Sequence, residues 1–198
     1  MQIIEWIRHT SLEVTGTNIC YGRSDVNVSE SFVEEADKVH ETIKGREYDA
    51  VYASPLSRAH KLALHCGFSP TIDPRIRERD FGAWEMKTWD EIIPTLSLPD
   101  GLDFISYATH LGMAHPPKGE TLRTFIGRVR DFIEELRTTK AERIAVFCHG
   151  GVINSARLLH GKTDIEHLFV HLPEYGSVNS LEYPRDLVLP TLDDLHVD

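Results

Sequence analysis

Arg143-Ile144-Ala145-Val146-Phe147-Cys148-His149-Gly150-Gly151 is the stretch on which the reading of this chain turns. A short continuous apolar run, without alternation of polar and apolar residues, marks a strand covered on both faces, as in a parallel sheet lying between helices. It ends on a histidine and two glycines, and a glycine pair at a helix entry frees backbone N–H groups to face an anion. Two further runs have the same character, Ile3 to Ile7 and Ala50 to Ala53. Each is followed by polar chemistry: Arg8-His9-Thr10 after the first, Ser54-Pro55-Leu56-Ser57-Arg58 after the second. A fourth strand is expected from Ser177 to Tyr183.

Helical spacing fills the intervals. Phe32, Ala36, Val39 and Ile43 share one stripe, as do Leu56, Ala59, Ala63 and Cys66, with Gly67 placed as a stop. Leu122, Phe125, Ile126, Val129, Ile133 and Leu136 predict a long helix over Glu120 to Arg137. Another is expected from Gly151 to Leu159, ended by Gly161. Strands alternating with helices imply an α/β fold, a three-layer α/β/α sandwich with a mostly parallel central sheet. Residues 1–198 read as a single domain, and the Pro- and Gly-rich stretch at about 94–119 reads as a lid-like insertion over one end of it. The tail after Tyr183 carries no readable pattern.

In an open parallel sheet, ligands bind outside the carboxyl ends of the strands. Parallel runs would therefore bring Arg8, His9, Arg58 and His149 to one crevice. Two guanidiniums and two imidazoles together make a receptor for a dianionic phosphoryl group, the guanidiniums supplying planar, bidentate donors. Such focusing reconciles phosphate chemistry with a formal charge of −10. The same charge disfavours nucleic acid as a partner, because duplex binding draws on Lys and Arg. No window reaches the roughly 20 apolar residues of a membrane span, and the first residues lack a secretory layout, so a cytoplasmic home is expected. Cys20, Cys66 and Cys148 cannot all pair, and their spacing makes no metal clip.

The chain resembles the histidine phosphatase superfamily, also called phosphoglycerate mutase-like. The resemblance rests on Arg8-His9-Thr10, Ser54 to Ala59, Arg77-Glu78-Arg79-Asp80-Phe81-Gly82-Ala83-Trp84-Glu85, Gly119-Glu120-Thr121 and His149-Gly150-Gly151, all in order. It implies that His9 is a nucleophile that becomes phosphohistidine. It also implies that Arg8, Arg58 and His149 hold the equatorial oxygens, and that Glu78 donates the leaving-group proton, with Glu85 the next candidate. Thr15, Tyr21, Gly22 and Gly150 would border the substrate. No cofactor and no metal are implied. Thr10 and Met86 stand where most of the superfamily has glycine. Arg-His-Thr followed by Cys20-Tyr21-Gly22 is similar to the α-ribazole-5′-phosphate phosphatases of cobalamin assembly, which suggests a substrate.

Blander readings apply elsewhere. Arg75, Arg77 and Arg79 read as a solvated face or a salt-bridging loop, and Trp84 and Trp89 as packing, with one of them able to border a substrate ring. His160, His167 and His171 match no compact ligand spacing. Beside a metal-independent phosphomonoesterase on a small organic phosphate stand two alternatives: a phosphoglycerate mutase-type phosphotransferase, and a phosphate-binding module without turnover. An intact nucleophile and proton donor argue against the last, because binding alone needs neither.

Overall fold

A computed structural model of the chain describes residues 1–96, 109 and 112–197. Strand β1 is Gln2–Arg8, helix α1 Phe32–Ile43, β2 Ala50–Ala53, α2 Ser57–His65 and the two-residue β3 Thr71–Ile72. A single turn α3, Trp89–Ile92, precedes the long helix α4, Leu122–Thr138. Then come β4 Arg143–Cys148, α5 Gly150–Leu159 and β5 Val178–Tyr183. The sheet order is β3-β2-β4-β1-β5, with every pairing parallel except β5 on β1.

Side chains of a strand alternate between faces, and the two central strands divide the core accordingly. Ile4, Trp6, Ile144, Val146 and Cys148 point to the α4–α5 side, where they pack with Phe125, Val129, Phe132, Val152 and Ile153. Ile7, Ala145 and Phe147 point to the α1–α2 side and meet Val39, Ile43, Leu62 and Ala63. This is the three-layer arrangement the apolar runs imply. Gly67 and Gly161 stop their helices with φ of +86° and +75°, the left-handed conformation that glycine adopts without strain.

Local chemistry moves some boundaries. The long helix starts at Leu122 rather than Glu120, because the Thr121 hydroxyl accepts the Thr124 N–H at 3.1 Å and caps it. Glu120 is freed to pair with Arg128, Nε to Oε1 at 2.7 Å. Among its described residues the tail has no strand or helix, yet it is bound to α4: Arg130 donates to the Pro190 carbonyl, Arg123 to the Val197 carbonyl, and Leu189 and Val197 are buried. The centre of the expected insertion, residues 97–108 and 110–111, lies outside the described residues.

Arg79 corrects the reading of a solvated arginine face. Arg75 does bridge Asp73 and Glu135 at the surface, but Arg79 is wholly buried. It donates to the carbonyls of Gly112, Ala114 and Glu120 at 2.6, 2.8 and 3.2 Å. Burial lowers its pKa to about 10, so it remains charged at neutral pH. Arg79→Met would leave three carbonyls short of a donor, at about 1–3 kcal/mol for each that water cannot reach. Urea denaturation should show a loss of several kcal/mol, and a loss under about 1 kcal/mol would contradict the clasp.

Candidate active site

Strand register assembles the site. Parallel pairing sets Arg8 beside Cys148, and one step further the His9 N–H donates to the Cys148 carbonyl at 3.1 Å. The next residues, His9 and His149, therefore face each other, with ring centroids 5.2 Å apart. β2 runs on the other side of β4 and delivers Ser54 and Arg58 to the same end. The Ser54 Oγ lies 2.8 Å from His149 Nε2, and the Arg58 Nε donates to His149 Nδ1 at 3.3 Å.

His9 is buried, and its Nδ1 bonds the Thr10 carbonyl at 2.7 Å. A carbonyl only accepts, so the proton of the neutral ring sits on Nδ1 and the Nε2 lone pair is left free. Burial, then the charges of Arg58 and Arg8, hold the His9 pKa well below the usual histidine range. His149 is held low in the same way, by burial first and Arg58 next. Both rings are thus neutral at physiological pH.

The two guanidiniums are set up differently. Arg58 is fully buried, its Nη1 and Nη2 donating to the carbonyls of Ser24 and Gly22 at 2.7 and 2.6 Å. Arg8 donates from Nη1 to the Pro173 carbonyl and lies 3.9 Å from the Tyr175 ring centroid, while its buried Nε has no partner among the described residues. Neither guanidinium pairs with a carboxylate among the described residues. Buried charge without a counter-ion is costly, so both are poised for an anion.

Glu78 and Glu85 have separate fates. Glu85 accepts the N–H groups of Gly22, Arg23, Ser24 and Phe81 and the Ser24 hydroxyl, which uses its carboxylate to tie the 22–24 loop down. Glu78 is half-buried, lines the cavity next to His9 and Arg58, and accepts from the Gly151 N–H at 2.9 Å and the Arg79 N–H at 3.0 Å. Its loop is gripped by Arg128, which donates to the carbonyls of Arg75, Arg77 and Glu78. Of the two, only Glu78 faces the cavity.

The cavity has a volume of about 490 Å³, within the range of small-molecule sites. Arg8, His9, Arg58 and Glu78 form its polar end. Its other walls are largely apolar and aromatic: Ile19, Cys20, Tyr21, Phe81, Trp89, Ile93, Phe169, Leu172 and Tyr175, with Asn18 and Asp90 as the polar exceptions. Cys20 is buried and its thiol is pushed up to about 12, by burial first and Glu85 next.

Several sequence-based assignments change place. His149 is behind Arg58 instead of on the cavity wall, with its two nitrogens directed to Arg58 and Ser54. Thr15 is exposed and its hydroxyl accepts the Leu12 N–H at 2.9 Å, so it serves a turn. Gly22 does not line the cavity: it places a carbonyl on Arg58, and an added Cβ would sit 2.0 Å from the Arg79 carbonyl oxygen. Gly150 is buried where a Cβ would meet Arg8 Cζ at 3.3 Å. Tyr21 does line the cavity, its hydroxyl 2.5 Å from that of Tyr175. Tyr175, Phe169 and Leu172 come from a stretch without periodicity, and no sequence signal marks them. Met86 has φ of +64°, the left-handed region that favours glycine, which accounts for a glycine preference there.

Two outcomes follow from this geometry. In Gly22→Ala the loop must shift away from Arg79 and withdraw a carbonyl from Arg58, so phosphate binding falls together with stability in calorimetry and thermal melts. For pH, a histidine neutral in the fold takes up a proton on unfolding once pH drops below its free value of about 6.5. The unfolded state then binds more protons, so stability is present above that pH and declines below it, by roughly 1.4 kcal/mol per pH unit for each such histidine. His149→Gln should reduce that slope by about one increment in phosphate-free urea titrations; an unchanged slope would refute the neutral ring.

Similarity to known proteins agrees with this arrangement. Residues 4–190 match the family model described as histidine phosphatase superfamily (branch 1). A Hydrogenobacter thermophilus protein named "Putative phosphoserine phosphatase 2" is 27% identical over 184 residues, covering 89% of this chain and 87% of its own. An adenosylcobalamin/alpha-ribazole phosphatase of Salmonella typhimurium is 28% identical over 160 residues, 77% of each chain. The crystal structure of TTHB049 from Thermus thermophilus superposes with a TM-score of 0.71 at 26% identity, over 95% of this chain and 98% of the other. With a family match running from β1 through β5, over the same fold, this chain belongs to branch 1 of the histidine phosphatase superfamily.

Proposed function

We propose that the protein is a phosphomonoesterase working through a phosphohistidine at His9. The observation that carries this reading is a neutral, buried imidazole that shares one cavity with two guanidiniums lacking carboxylate partners among the described residues. In the first step the Nε2 lone pair of His9 forms a bond to phosphorus as the ester P–O bond breaks, and Glu78 passes a proton to the departing oxygen. In the second, water attacks the phosphorus, Glu78 takes its proton, the N–P bond breaks and inorganic phosphate leaves. Phosphoryl transfer asks of a protein mainly position and charge, which Arg8 and Arg58 supply; His149 serves as the positioning residue for Arg58. Glu78 also borders a smaller cleft of about 340 Å³ with Arg23, Arg77, Asp80 and Lys118.

The walls favour one substrate class. Beyond the phosphate end, no Lys or Arg lines the cavity among the described residues, so the carboxylate of a phosphoglycerate or a phosphoserine would enter without a cation. Aromatic and aliphatic side chains suit an alcohol that carries a planar, weakly polar ring, and α-ribazole 5′-phosphate is such an ester. Ile93 and Gly112, which flank the central part of the 94–119 stretch, both lie on this wall, supporting its assignment to the leaving-group side.

The test is turnover of an aryl phosphate with and without chelator, followed by a panel of α-ribazole phosphate, phosphoserine and 3-phosphoglycerate. Chelator-resistant hydrolysis is expected, abolished in His9→Ala. Glu78→Gln should lose about 10²–10⁴ in rate on alkyl esters, and much less on an aryl ester whose leaving oxygen needs no proton. Phosphoryl transfer to 3-phosphoglycerate, or a preference for phosphoserine over α-ribazole phosphate, would overturn the substrate reading.

A further inference from the structure

Residues 165–175 have two working sides. On one, Phe169, Leu172 and Tyr175 wall the active-site cavity, and the Pro173 carbonyl holds Arg8. On the other, His167 and His171 border a separate cleft of about 640 Å³, closed by Arg157 of α5, Lys162 and the edge strand β5. No carboxylate residue lines this cleft among the described residues. Arg157 is half-buried, and its two hydrogen bonds go to neutral amide oxygens, Asn154 Oδ1 at 3.2 Å and Asn179 Oδ1 at 2.7 Å. No ion pair engages it among the described residues. A guanidinium positioned by amides retains its charge for another partner. Beside it the His167 and His171 rings lie nearly parallel, with centroids 6.2 Å apart. In a chain of net charge −10, this is a local concentration of positive charge that the active site does not use.

We propose that this cleft is a second anion site, taking inorganic phosphate or a small phosphate monoester, and that its occupancy is felt at the active site through residues 165–175. The linkage is physical. Asn154, 2% exposed, donates from its side-chain amide to the carbonyls of Leu168 and His171, both at 3.0 Å, and also accepts from Arg157. An anion drawn against Arg157, Lys162 and the two histidines therefore acts on the backbone that carries Phe169, Leu172 and Tyr175. A bound ligand shifts such a segment by its differential affinity for the segment's arrangements, and the effect is reciprocal between the two sites. The anion site stands on its own residues; only its influence on turnover rests on the phosphomonoesterase reading.

Inorganic phosphate is the probe, titrated calorimetrically against wild type, Arg157→Gln/Lys162→Gln and Arg58→Gln. Wild type should take up two phosphates per chain. Arg157→Gln/Lys162→Gln should keep the active-site phosphate and weaken the other by about tenfold or more, while Arg58→Gln should do the reverse. Lys162→Gln/His171→Gln, with both changes on exposed side chains, guards against a folding defect and should weaken the same event. One phosphate in wild type, lost in Arg58→Gln and untouched by the cleft variants, would overturn the site. With aryl phosphate as substrate, phosphate should change the apparent kcat of wild type as well as KM, and only KM in Arg157→Gln/Lys162→Gln. A purely competitive pattern in both would overturn the coupling. Two phosphates bound by a protein that hydrolyses nothing would sink the enzymatic reading and leave the cleft intact.

Discussion

A fully buried guanidinium without a carboxylate partner among the described residues, Arg58, is the interaction around which this molecule is organised. An unpaired charge in a protein interior is expensive, and the chain tolerates it by surrounding Arg58 with carbonyl dipoles from Gly22 and Ser24 and an imidazole nitrogen from His149. Those dipoles must be held in place. Glu85 does so by gathering the N–H groups of residues 22–24 from beneath. A glutamate within the family motif is thus spent on geometry, leaving Glu78 to face the cavity.

The scaffold reaches this arrangement through ordinary sheet rules. β1 and β4 lie side by side in the middle of the sheet, buried on both faces, and their register brings His9 next to His149 without help from a loop. Because the alternation of side chains is strict, slipping β1 by one residue would turn Ile7 and Trp6 to the wrong layers and carry His9 away from the crevice. Core packing and site assembly are therefore a single requirement.

Much of this was legible in the residues. Apolar runs of β1, β2 and β4 identify a two-sided sheet, and polar motifs at their ends identify the crevice, because both signals are local in sequence and their convergence follows from strand direction. The apolar wall of the cavity was not legible. Tyr175, Phe169 and Leu172 lie in a stretch shaped by long-range contacts such as those from Asn154 and Arg8, which no periodicity records. Arg79 misled for a related reason: in sequence it looks like its exposed neighbours, and only the carbonyls of Gly112, Ala114 and Glu120 draw it inside. His149 follows β4 as its motif implies, but its place behind Arg58 depends on Ser54, a partner 95 residues away.

Cys20 on the cavity wall has one more implication. A thiol on the wall it shares with His9 would invite oxidants and electrophiles if it ionised, because these attack the thiolate. Here burial first, and the acidic Glu85 next, keep the proton on sulfur at neutral pH. The cavity wall thereby gains a soft, space-filling sulfur that carries no charge at neutral pH.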